Sequence, residues 1–241
     1  DTLLARGINI KNLFSPEHGF RGDADAGATV KSITDSQTGL PITSLYGNNK
    51  KPKTAQLEGI DIVLFDMQDV GARFYTYIST LSYIMEACAE AEVKVIVLDR
   101  PNPNGWYVDG PMMDAKFHSF IGMHKIPIAH GMTIGEYAQM VNGEGWLKNK
   151  VACELKVIRA DGYQHAMKWG ETGLDWVSPS PNLATIKAAM LYPALCWLEP
   201  TPVSLGRGTD SAFTIVGAPW LSPSDTYCVE QFCATTTSFT P

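Results

Sequence analysis

Ile60-Asp61-Ile62-Val63-Leu64-Phe65 is β-branched and almost continuously apolar. A strand of that kind is at home in a parallel sheet covered on both faces, where no side of it meets water. Val93-Lys94-Val95-Ile96-Val97-Leu98 repeats the pattern. Between the two runs, Phe74, Tyr77, Ile78, Leu81, Ile84, Met85 and Cys88 recur at three- and four-residue steps, which places them on one face of a helix. Strand, helix and strand in succession make a βαβ unit. Outward from it, Ile8 to Phe14 reads as a strand, and Ile42 to Leu45 as another, before the turn at Tyr46-Gly47. Thr133 and Glu136 have the spacing of a capping box ahead of a helix carrying Ile134, Tyr137, Ala138 and Val141. Leu155 to Ile158 predicts a strand, Ala184 to Leu191 a short helix, and Phe213 to Val216 a further strand. The fold class is α/β: Rossmann-like, a mostly parallel sheet with helices on both faces.

Ligands of such sheets bind beyond the carboxyl ends of the strands. Three strand ends here carry chemistry. The first is Ser15-Pro16-Glu17-His18-Gly19. The second is Asp66-Met67-Gln68-Asp69-Val70-Gly71-Ala72-Arg73, and the third Asp99-Arg100-Pro101-Asn102-Pro103. In the first, Pro16 biases Ser15 toward an extended backbone and Gly19 allows a positive φ. Together they form a corner able to aim Glu17 into a cleft. The plain alternative is a turn with a surface acid. His18 is a proton carrier, a hydroxyl partner or a hydrogen-bonded turn residue. Asp66, Asp69 and Asp99 are the other carboxylates, and acids buried there need partners. Arg73 and Arg100 are close in sequence, so bracing pairs are one reading. The other is two carboxyls flanking a scissile bond, as glycoside hydrolysis requires.

The remaining features narrow the class. The 241 residues suffice for one large domain, or one domain and part of another. Net charge is −6, with acids and bases mixed along the chain, so nucleic acid is not an expected partner. No apolar run approaches the ~18 residues of a membrane span. None of Cys88, Cys153, Cys196, Cys228 and Cys233 forms a CxxC pair. There is no GxGxxG, P-loop, GxSxG or HExxH motif, and no cofactor or metal is expected. A metal-dependent hydrolase using Asp66 and Asp69 stays as an alternative, although D-x-x-D departs from the D-x-D of haloacid-dehalogenase phosphatases. Arg73, Arg100, Arg207 and His130 are candidate anion partners, His130 because it precedes a helix start. Tyr46, Tyr75, Trp106 and Trp176 lie near glycine- or proline-rich loops and are candidate sugar platforms.

Leu13-Phe14-Ser15-Pro16-Glu17-His18-Gly19-Phe20-Arg21-Gly22 resembles the signature of the exo-acting β-N-acetylmuramidases, long catalogued as a domain of unknown function. Asp35 to Pro41, Ser44 to Gly47, Phe65 to Tyr77, Leu98 to Pro103, Pro127 to Thr133, Glu171 to Leu174, Ser178 to Asn182 and Gly206 to Thr209 continue it. The resemblance implies hydrolysis of terminal N-acetylmuramic acid from peptidoglycan fragments, with Glu17 as the acid. It implies a Rossmann-like domain and a smaller C-terminal domain, with the site in the cleft between them. From the residues and the resemblance together, the expected catalytic set is Glu17, His18, Asp66 and Asp69. The expected substrate-binding set is Gln68, Arg73, Tyr75, Asp99, Arg100, Asn102, His130, Asn182 and Arg207. Relatives of this family extend further at both ends. Residues 1–220 are therefore expected to form the catalytic domain without its first segment, and 221–241 a linker or remnant of a mostly absent second domain. A non-catalytic muramyl-glycan-binding protein is the other class of function. The chain opens on Asp1 without a signal peptide, and a cell-wall substrate implies an extracytoplasmic location.

Overall fold

The computed structural model describes residues 2–20 and 33–220. Arg21 and Gly22 of the signature, and Ser222 to Pro241 with Cys228 and Cys233, lie outside the described residues. The strands are β1 (Leu13–Ser15), β2 (Ile33–Thr34), β3 (Pro41–Ser44), β4 (Ile62–Phe65), β5 (Lys94–Leu98) and β6 (Leu155–Ile158). The helices are α1 (Thr2–Ala5), α2 (Thr54–Leu57), α3 (Tyr77–Glu90), α4 (Ile134–Gly143) and α5 (Ile186–Leu195).

Two three-stranded sheets result. The first has the order β1-β3-β2, with β1 and β3 parallel and β2 antiparallel to β3. Its parallel register sets Ser15 opposite Ser44, and Leu45 N–H donates to Ser15 O at 2.7 Å. The chain segments leaving β1 and β3 therefore start side by side. The second sheet is wholly parallel, in the order β4-β5-β6, with Phe65 opposite Val97 and Val97 opposite Val157. That is the βαβ unit read from the sequence, extended by a second crossover.

The main core lies under this second sheet. Val63, Phe65, Val95 and Val97 join Leu81, Met85 and Cys88 of α3 and Tyr137, Ala138 and Val141 of α4. The helices also touch each other, and Ser82 Oγ lies 2.9 Å from Tyr137 Oη. The expected helical cover is thus present on one face. On the other face, Ile62, Leu64 and Ile158 are 49%, 39% and 43% exposed. Helix α3 starts at Tyr77, so Phe74 falls in the turn before it and packs edge-on against Tyr192 at 5.4 Å. The capping box of α4 forms as its spacing predicts: Glu136 N–H donates to Thr133 Oγ1 at 3.2 Å, and Thr133 N–H to Glu136 Oε2 at 2.8 Å.

Two expectations are corrected. Phe213 to Val216 is not a strand. Phe213 takes a φ of +55° in a turn and buries its ring on Tyr192 at 5.0 Å. Its apolar character serves packing, and among the described residues the ladder contact nearby is the isolated bridge from Ser204 to Gly217. The strand expected from Ile8 pairs with β3 only from Leu13, and Ile8 is exposed. Among the described residues, no helix is long and apolar enough to cross a membrane.

Candidate active site

Glu17 follows β1 by two residues, in a turn where His18 holds a φ of +72° and Gly19 one of +82°. A left-handed backbone is costly for a residue with a Cβ, so the corner is strained at His18 as well as accommodated at Gly19. The half-buried Glu17 carboxylate accepts on both oxygens. Tyr46 Oη, from the turn after β3, donates to Oε1 at 2.9 Å. Thr76 Oγ1, at the N-cap of α3, donates to Oε2 at 2.8 Å. Thr76 makes no side-chain cap bond to its own helix. Burial, then the bond to Glu17, pushes the Tyr46 phenol up to about 12, so it stays a donor at neutral pH.

An aromatic group backs this acid. His18 is buried, stacked on Tyr75 at 6.1 Å and set edge-on to Tyr77 at 6.4 Å. The Tyr77 hydroxyl donates to Pro179 O at 2.8 Å. Burial raises its pKa, and the carboxylates of both Glu17 and Asp69 raise it further. Tyr77 thus stands within the field of two acids that arrive from different sheets. Asp69 is almost fully buried; its Oδ2 accepts from Gly71 N–H at 2.7 Å. His130 reaches it because His130 N–H bonds Gly71 O at 3.2 Å. Met132 N–H donates to His130 Nδ1 at 3.3 Å, which leaves the ring proton on Nε2, 3.7 Å from Asp69 Oδ2. Asp69 Oδ1 and His130 Nε2 have no hydrogen-bond partner among the described residues.

The other expected residues divide into braces and rim groups. Gln68 Nε2 donates to Asp69 O and Pro101 O at 2.7 and 2.9 Å, tying two strand-end loops together. Arg73 is buried and donates to Pro111 O and Ile126 O at 2.8 and 2.6 Å; burial lowers its pKa. Asn102 donates to Met132 O at 2.8 Å and accepts from Asn104 N–H at 2.8 Å. Asp99 accepts from Thr133 Oγ1 and Gly135 N–H, both at 2.8 Å, and so anchors the start of α4. Tyr75 is buried in the aromatic group. Asp66 lies apart from Glu17's partners: it pairs with Arg100 at 2.6 Å, with both side chains close to half exposed. Arg207 pairs with Glu199 and lies over Phe213 at 5.1 Å. Asn182 follows the Pro179 carbonyl that holds Tyr77 by three residues.

His18 and Tyr75 therefore pack on Tyr77, within the field of Glu17 and Asp69, while His130 stands beyond Asp69 and beside Tyr137. Asp66, Asp99 and Arg100 instead line a separate cavity of about 600 Å³ with Tyr163. His130 also borders a second cavity of about 520 Å³, beside Trp106, Glu136 and His165. Glu17 lines neither. Of the four aromatic candidates, Tyr46 binds Glu17 and Tyr75 packs. Trp106 carries Lys168 Nζ 3.0 Å above its ring, and Trp176 donates to Leu183 O at 2.9 Å. Sequence reasoning did not single out Thr76 or Tyr77. Their signal was their place at the start of a predicted helix directly after the Asp69 loop. No three His, Cys, Asp or Glu side chains gather as a metal site among the described residues.

Residues 1–187 match the family model described as the N-terminal part of the exo-β-N-acetylmuramidase NamZ, and residues 190–241 match that of its C-terminal part. The peptidoglycan β-N-acetylmuramidase NamZ of Bacillus subtilis (strain 168) is 44% identical over 219 residues, which is 90% of this chain and 52% of that protein. A crystal structure of a DUF1343 family protein from Bacteroides fragilis NCTC 9343 is similar at 47% identity with a TM-score of 0.78, covering 91% of this chain and 57% of that one. A second one from the same organism is 39% identical with a TM-score of 0.82, covering 91% and 56%. The chain spans about half the length of these relatives. With matched residues running through both sheets and the Glu17 turn, the chain belongs to the family of the exo-β-N-acetylmuramidase NamZ.

Proposed function

We propose that this protein is an exo-acting β-N-acetylmuramidase that removes terminal N-acetylmuramic acid from peptidoglycan fragments, with Glu17 as its catalytic acid. One observation carries the assignment: Glu17 is reached by hydroxyls from two other elements and shares the surroundings of Tyr77 with Asp69. Family membership and the name of the Bacillus subtilis relative support the substrate class. Glycoside hydrolysis needs a proton delivered to the leaving oxygen and negative charge near the oxocarbenium-like centre. Glu17 delivers the proton. Asp69, sealed from solvent, contributes field rather than attack. Arg207 faces solvent and can exchange its Glu199 partner for the lactyl carboxylate of the sugar. A wall-derived substrate favours an extracytoplasmic place of action.

Glu17→Gln keeps the size and one oxygen that accepts from a hydroxyl, but cannot act as an acid. It is expected to lower turnover of a chromogenic N-acetylmuramide by about 10²–10⁴-fold with an unchanged melting temperature. Near-wild-type turnover in that variant ends the assignment. Tight binding of muramyl sugars by the wild type, without hydrolysis over a long incubation, selects a glycan-binding protein instead.

A further inference from the structure

We infer that Tyr46 and Thr76 are positioning residues that set the direction of the Glu17 carboxylate. The inference rests on Glu17 being the reactive acid only for its catalytic consequence; the structural part stands without it. Each hydroxyl takes one carboxylate oxygen, at 2.9 Å from Tyr46 and 2.8 Å from Thr76. Two bonds from opposite ends fix a carboxylate's plane as well as its place. Each bond comes from an element whose position is otherwise fixed. Tyr46 follows Leu45, which is fully buried and whose N–H bonds Ser15 O, two residues before Glu17. Thr76 is buried at the head of α3, and Thr80 N–H bonds its carbonyl at 2.9 Å. An N-cap threonine ordinarily turns its oxygen toward its own helix, and this one donates its proton to Glu17 instead. That is the arrangement expected of a residue kept for the carboxylate.

The test is the direction of the Glu17 carboxylate in crystal structures of wild type, Tyr46→Phe, Thr76→Val and Thr76→Ser, with turnover of a chromogenic N-acetylmuramide beside it. Tyr46→Phe and Thr76→Val should each turn the carboxylate out of its plane and, where the wild type hydrolyses N-acetylmuramides, lower kcat by about tenfold with KM little changed. Thr76→Ser, which keeps the hydroxyl, should stay near wild type in both. An unmoved carboxylate in both hydroxyl-deletion variants overturns the inference, as does an equal displacement in Thr76→Ser. An inactive wild type with the displacements present sinks the muramidase reading and leaves this one standing.

Discussion

His18 holds a φ of +72° beside the proposed acid, and its ring is wedged against Tyr75 and Tyr77. Strained backbone persists only where its surroundings over-determine it, and here the aromatic packing does so. Gly71 is the matching point on the other sheet. Its φ is +75°, and a Cβ there would meet Asn102 Oδ1 at 2.3 Å. Asn102 is itself committed to Met132 O and Asn104 N–H, so it has no room to give. Gly71→Ala should destabilise the fold by about 1–3 kcal/mol. It should also disturb the Asp69 to His130 spacing, since Gly71 bonds both residues. Chemical denaturation checks the first effect and turnover the second. At this scale the sequence pointed to Glu17, because a proline before it and a glycine after it mark a corner. It did not disclose that Arg73 and Asn102 bond backbone carbonyls far along the chain.

Helix α4 shows how an element can be legible while its anchor is not. The Thr133 to Glu136 spacing predicts the box, and the box forms. What periodicity does not disclose is that the Thr133 hydroxyl also donates to Asp99 at the end of β5. Asp99 then takes Gly135 N–H, so strand and helix are joined by one carboxylate. A Cβ on Gly135 would stand 2.7 Å from Asp99 Cγ and 2.5 Å from Val157 Cγ1, which is how closely the helix start lies on the sheet. Thr133→Ala removes both the cap acceptor and the bond to Asp99. A cost of about 1–2 kcal/mol is expected, read as a lower denaturation midpoint with an unchanged m-value. A wild-type midpoint would show that Asp99 holds α4 through Gly135 alone. Phe213 to Val216 marks the opposite limit: an apolar run with strand composition becomes a turn because a buried ring on Tyr192 uses its hydrophobicity better than an unpaired ladder would.

Across the whole molecule, the second sheet and α5 are tied by a buried amide. Asn104 is almost fully buried; its Nδ2 donates to Val70 O at 2.8 Å and to Ala189 O at 2.9 Å. One side chain thereby links the loop after β4, its own loop after β5, and α5. Asn104→Ala leaves two carbonyls buried without that donor. A loss of about 1–3 kcal/mol is expected, with Glu17 and its hydroxyl partners still in place; thermal melting with a parallel activity assay checks it. What the sequence by itself determined was local: parallel strands from β-branched runs, helices from three- and four-residue apolar steps, a cap from its spacing, a corner from Pro16 and Gly19. Each of those signals is contained in a few consecutive residues, where backbone sterics and periodicity act. Only the tertiary structure decided that Tyr46 and Thr76, 29 and 59 residues from Glu17, share its carboxylate, that Asp69 joins them across Tyr77, and that Asp66 does not. The physical reason is that hydrogen bonds and fields depend on distance in space, and strand pairing, not position along the chain, sets those distances.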